Sequence, residues 1–223
     1  MGTKLSALSS LTGANVDPAA DTLLIDDVSA TTSKKILVNE LSIAMKLGAQ
    51  LLAAQSASSS ATIDFTANLD NTYDGYMITV DNAKPENDDD YLAMRIGTGV
   101  GPTWQFGTGA YAYGANRRGV GGAADEGNTS TLIPLSSILG VGFGVGSASG
   151  LSISSVIDFS NPEASNYPMF MYRSIYMDNT NSIHGFNGIG NYGASTAFTG
   201  VRFFFSTGNI ASGTFRLYGL RKS

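Results

Sequence analysis

Cysteine is absent and histidine occurs once, at His184, so disulfides and thiolate metal sites are excluded and imidazole chemistry rests on one residue. Charge is also sparse. Charged residues make up 14% of the 223, against a usual share of about a quarter. The formal net charge is −5 and no basic block with interleaved aromatics occurs, which argues against nucleic acid, because phosphate binding needs clustered positive charge. No run approaches the ~20 apolar residues that span a bilayer, and Met1-Gly2-Thr3-Lys4-Leu5 lacks the apolar core of a signal peptide. The expectation is a product kept in the cytoplasm of its cell, with no membrane partner.

What is present points to β-structure. Gly is abundant at 27 residues, Pro is scarce at 6, and aromatics reach 10%. With so few charges, the surface is Ser, Thr, Asn and Gly, which suits burial against neighbouring subunits.

Three zones separate. In residues 1–50, Leu5, Leu8 and Leu11 recur every third position, as in a short helix ended by Gly13. Leu23, Leu24 and Ile25 read as a strand, Ser29 to Ser33 as a turn, and Ile36, Leu37 and Val38 as a returning strand. Asn39 can cap a helix carrying Leu41 and Met45 on one face. This small mixed α/β segment buries too little to stand as a domain by itself. Residues 51–61, rich in Ser and Ala, read as a flexible linker.

Residues 62–223 carry a period of two: Ile78 and Val80, Met94, Ile153 and Ile157, Phe170, Phe203 and Phe205, then Phe215. These nine are the expected core. Seven or more short strands with polar turns predict an antiparallel, jelly-roll-like β-sandwich, with an up-and-down barrel as the alternative. Gly107 to Gly150 reads as a long excursion. Within it, Gly alternates with Val141, Phe143 and Val145, predicting a strand whose bare face at Gly142 and Gly144 admits a neighbouring chain.

Catalytic signals are weak. His184 has no Gly-x-Ser-x-Gly elbow to serve: Gly146-Ser147-Ala148-Ser149-Gly150 puts Ala at the nucleophile position. A structural histidine is the favoured reading. The acids Glu86, Asp88, Asp89 and Asp90 could gather a hard cation, but they lack EF-hand spacing and read more simply as a solvated hairpin tip. Asp158, Glu163 and Asp178 could supply a glycosidase pair, although spacing along a chain cannot bring carboxylates together. Trp104, Tyr111 and Tyr113, with Tyr167 and Tyr192, sit beside Gly, Asn or Pro. They could stack on a sugar or cap the core; Trp104 suits either role, and core capping is favoured for the tyrosines.

The runs Lys4-Leu5-Ser6-Ala7-Leu8, Leu11-Thr12-Gly13-Ala14, Asp21 to Ser29 and Lys34 to Leu41 resemble the N-terminal module of tailed-bacteriophage structural proteins, found on head-fibre, head-decoration and tail-fibre proteins. The resemblance covers about the first 45 residues. The closing Ser212 to Leu220 resembles, less specifically, β-sandwich domains of the same kind of protein. The resemblance implies a virion component assembled in the host bacterial cytoplasm, oligomeric and often trimeric; it supplies no catalytic residue, and no cofactor is expected. It also implies attachment to other virion proteins through Leu5, Leu8, Leu11, Leu24, Ile25, Ile36, Val38 and Leu41. The expected function is therefore a capsid-surface head fibre or decoration protein. A tail-fibre or tailspike component that binds a host surface glycan is the alternative.

Overall fold

A computed structural model describes residues 22–25, 34–37, 48–120, 122–138, 142–160, 162 and 166–220. The chain divides into two units between Gly48 and Ala49.

In the first unit, β1 (Thr22–Ile25) pairs antiparallel with β2 (Lys34–Leu37), with Leu24 opposite Lys35 and Ile25 opposite Lys34. This is the hairpin that the two apolar triplets predict. The helices expected around Leu5, Leu8 and Leu11 and after Asn39 fall outside the described residues, as do Val38 and Leu41.

The second unit is mainly β, and every strand pairing in it is antiparallel. An eight-stranded sheet runs in the order β3 (Ala49–Ser60), β15 (Ile210–Leu220), β5 (Gly75–Pro85), β11 (Ile153–Ser160), β12 (Met169–Met177), β13 (Ile183–Tyr192), β8 (Tyr111–Gly119) and β9 (Gly122–Ser130). A five-stranded sheet contains β10 (Ile133–Pro134), β6 (Leu92–Thr98), β14 (Gly200–Phe205) and β4 (Ile63–Phe65), with β7 (Thr103–Trp104) on β6.

The period of two places alternate residues on one inner face. Val201, Phe203 and Phe205 of β14 and Phe215 and Leu217 of β15 belong to one hydrophobic core. The rings of Phe203 and Phe215 bridge the two sheets with centroids 5.3 Å apart. All nine expected core residues are buried, none more than 3% exposed. Beside them, β15 shifts register between Ser212 and Thr214. Gly213 makes that shift possible, because its φ is +139° and a Cβ there would lie 2.7 Å from the Ala83 Cα.

Three expectations need correction. The segment read as a linker is β3, an edge strand laddered along nearly the whole of β15. A ladder is made by backbone groups, so Ser and Ala serve where only one face is covered: Ala57 is buried and Leu52 and Ala53 pack against the core. The 107–150 excursion contains the β8–β9 hairpin, which extends the large sheet. The described part of the glycine-alternating run, 142–146, is not a strand: Gly142 has φ +88°, and only Val145 makes an isolated bridge, to Asp90.

Candidate functional site

The acidic loop is tied to two other segments of the chain, 142–147 and 206–207. Asp88 Oδ1 accepts the Ser147 N–H at 2.7 Å. Asp89 accepts the Gly142 N–H at 2.7 Å and the Gly144 N–H at 2.8 Å. Asp90 is 3% exposed and accepts N–H groups from Tyr91, Ser206 and Thr207 at 2.7, 3.1 and 2.9 Å. Asp90, which also accepts the hydroxyls of Ser206 and Thr207, has few lone pairs left for a cation, whereas the exposed Asp88 accepts one N–H. No cluster of three or more residues able to hold a metal ion occurs among the described residues.

The same contacts account for Gly142, Phe143 and Gly144, expected at an oligomer interface. Gly144 is buried, and a Cβ on it would meet the Asp89 backbone at 2.5 Å. Phe143 lies under the Arg117 guanidinium, 4.0 Å from ring centroid to Cζ. These residues contact their own chain and do not form a flat bare strand, and Val141 lies outside the described residues.

His184 sits in a buried polar cluster. Its Nε2 is 2.7 Å from Asp178 Oδ2, and its Nδ1 is 3.4 Å from an Arg117 amino nitrogen. Arginine only donates, so Nδ1 faces it as acceptor and Nε2 carries the proton given to Asp178. Tyr176 stacks on the imidazole at 5.2 Å and donates its hydroxyl to the Phe143 carbonyl at 2.9 Å. Burial pushes the Tyr176 pKa up to about 12, which keeps it a donor. For Asp178, burial alone would raise the pKa. Hydrogen bonds from His184, from the N–H groups of Ser182 and Thr180, and from the Thr180 hydroxyl outweigh that and hold it below the usual carboxylate range. Glu126 accepts from the Ser137 hydroxyl and, at 3.1 Å, from the Ile138 N–H. Both imidazole nitrogens therefore face partners inside the chain. Of the three acids weighed for glycoside cleavage, Asp178 is engaged here, Asp158 points outward from β11, and Glu163 lies outside the described residues.

The aromatic candidates separate. Tyr111 is fully buried; its hydroxyl accepts the Ile96 N–H at 2.9 Å and donates to the Gln105 carbonyl at 3.0 Å. Tyr113 is 9% exposed. Both are buried, because they share the inward register of β8. Trp104 is half-buried on the outer face of the five-stranded sheet. The Arg202 guanidinium lies over its ring at 4.2 Å and forms a two-point pair with Asp64 at 2.8 and 2.6 Å. Opposite Arg202 stands Arg95, 4.5 Å from the Phe204 ring and 6.0 Å from that of the exposed Phe106. Its Nε donates to the Thr131 carbonyl at 3.0 Å, and it has no acid partner among the described residues. Burial, with Arg202 adding to it, holds the Arg95 pKa below the usual guanidinium value. Sequence reading missed both arginines. The available signal was their position between inward residues: Met94 and Ile96 flank Arg95, and Val201 and Phe203 flank Arg202.

A second surface lies on the outer face of the eight-stranded sheet. Leu51, Tyr218, Met77, Asp158, Met171 and Ile189 stand opposite one another in succession across six strands. The row continues through Gly114 and Gly127. Around it an open trough of about 850 Å³ is lined by Gly75, Gly114, Met169, Met171, Ile189 and Leu220, among others. The signal was again in the sequence: Met169-Phe170-Met171-Tyr172 is apolar on both faces, where a strand covered on one side alternates with polar residues.

No protein-family model, curated protein or solved structure matches the chain.

Proposed function

We propose that the protein is a non-enzymatic structural component of a phage particle, a capsid-surface head fibre or decoration protein. In this reading the two sheets form a jelly-roll-like β-sandwich that is displayed, and residues 1–50 attach it to other virion proteins. The observation that carries the non-enzymatic part is the engagement of the reactive groups. Both nitrogens of the single histidine face partners within the chain, and Asp88, Asp89 and Asp90 all accept backbone N–H groups. A charge-poor surface supports an oligomer packed among neighbours. The attachment role rests on the likeness of the first residues to phage docking modules and on the division of the chain at Gly48. The test is co-sedimentation of tagged full-length protein with intact particles, followed by imaging of the particles. Absence of the tag from particles would overturn the reading.

A second reading has one specific support. Arg95, without an acid partner among the described residues, stands near the exposed Phe106 ring and on the same outer sheet face as the half-buried Trp104, whose ring Arg202 covers, and this combination suits a surface glycan. Under that reading Trp104→Ala and Arg95→Ala abolish binding to host-cell polysaccharide. Unchanged binding, or none by the parent protein, would remove it.

A further inference from the structure

We propose that the outer face of the eight-stranded sheet is the surface through which copies of this chain associate. The proposal deepens the oligomeric part of the reading above and rests on it.

Apolar side chains are concentrated there. Leu51, Met169, Met171, Ile175, Ile183 and Ile189 are each about half exposed or more, and all point outward from strands of this one sheet. Met169, Met171 and Ile189 stand together, as do Ile175 and Ile183 across the Arg173–Asn187 pair, and large apolar side chains gathered so on one sheet face mark an association surface. From β3 to β8 the face spans seven strands. At ~4.8 Å between strands and over some four outward rows, that is roughly 600 Å² per copy, or ~1,200 Å² for a pair. Stable association begins at about this area.

Charge identifies the occupant. Asp158 on β11 and Arg173 on β12 both point outward and are diagonal neighbours, since Asp158 stands opposite Met171 and Arg173 opposite Val156. Neither side chain has a hydrogen-bond or ion-pair partner among the described residues. A face on which an acid and a base stand side by side, without a partner among the described residues, is complementary to itself: a second copy can set its guanidinium on the carboxylate and its carboxylate on the guanidinium. A small ligand fits less well. The trough is open rather than enclosed, its carboxylates Asp74 and Asp158 lie among apolar residues, and exposed apolar side chains continue beyond it to Ile175, Ile183 and Leu51.

The experiment is mass determination by light scattering on the purified full-length protein at micromolar concentration. The parent protein should have the mass of a dimer, the assembly that a self-complementary face closes. Met171→Asp combined with Ile189→Asp should give the monomer mass with unchanged circular dichroism and melting, because both side chains already face solvent. Asp158→Arg alone, and Arg173→Asp alone, should each weaken association at least tenfold, and the two together should restore it. The single charge changes keep the test open should the apolar double variant misfold. A monomeric parent, or multimers that persist in both kinds of variant, would defeat the proposal. So would apolar loss without any effect of the charge pair, since the self-complementary geometry would then be wrong. Particle incorporation is scored separately: a monomeric protein that still joins particles removes this proposal and leaves the attachment reading intact.

Discussion

His184 donates through Nε2 to Asp178 Oδ2 at 2.7 Å, with the imidazole fully buried and the carboxylate nearly so. Asp178 also receives the N–H groups of Thr180 and Ser182 at 2.8 and 2.9 Å, so one carboxylate organises the β12–β13 turn and fixes a ring beneath it.

Because its pKa is held down in the folded protein, Asp178 stabilises the fold at pH values above the unfolded carboxylate value of about 4. That contribution is lost as pH falls through the lower folded value. Asp178→Asn should therefore cost about 2–3 kcal/mol at pH 7, the scale for a charge-assisted hydrogen bond. The gap between parent and variant should narrow below pH 4. Urea denaturation of both proteins from pH 7 to 3 measures it. A gap independent of pH would show that the loss is steric.

Phe203 should be among the costliest residues to truncate. It is fully buried, 5.3 Å from the Phe215 ring and 6.5 Å from that of Phe65. Phe203→Ala leaves a cavity where the sheets meet and should cost roughly 3–5 kcal/mol. A loss below ~1 kcal/mol in chemical denaturation would mean that the two sheets do not share this core.

How much of this was legible follows from which interactions leave a periodic trace. Phe203, Phe205 and Phe215 announce their burial because a half-covered strand must alternate. The edge strand β3 leaves no such trace: Ala54 to Ser60 are held by backbone bonds to β15, and small polar side chains there look like a linker. The run at 142–146 misled for a related reason. Its alternation of Gly with apolar residues mimics a strand, while its conformation is set by the carboxylate of Asp89, more than fifty residues away in the chain. His184, Arg117 and Asp178 were visible as residues, but their meeting depends on the β13–β8 register, which no local pattern encodes.

The acidic loop gives a graded prediction. Asp90 is buried and accepts from three backbone N–H groups, whereas Asp88 accepts from one. Asp90→Ala should destabilise by several kcal/mol, on the order of 3, by leaving buried donors unpaired. Asp88→Ala should cost under about 1 kcal/mol. Calcium or a chelator should leave the melting temperature of the parent unchanged. A calcium-dependent rise would instead show that these carboxylates bind the ion.

The position of β3 lets two shortened proteins test the domain boundary. If residues 1–48 are the attachment segment, a protein starting at Ala49 retains the whole eight-stranded sheet. It should remain folded and soluble but fail to join particles. A protein starting at Ala61 loses the same segment and β3 as well. It uncovers the free edge of β15 from Ile210 to Leu220 and removes Leu52, Ala53 and Ala57 from the core. An exposed edge that long recruits other strands, so this shorter protein should melt lower and aggregate. Circular dichroism melts and turbidity on the two proteins separate a structural strand from a linker. Equal melting temperatures would restore the linker reading of 51–61. Normal particle incorporation of the protein starting at Ala49 would show that attachment resides in the β-sheet unit rather than in the first 48 residues.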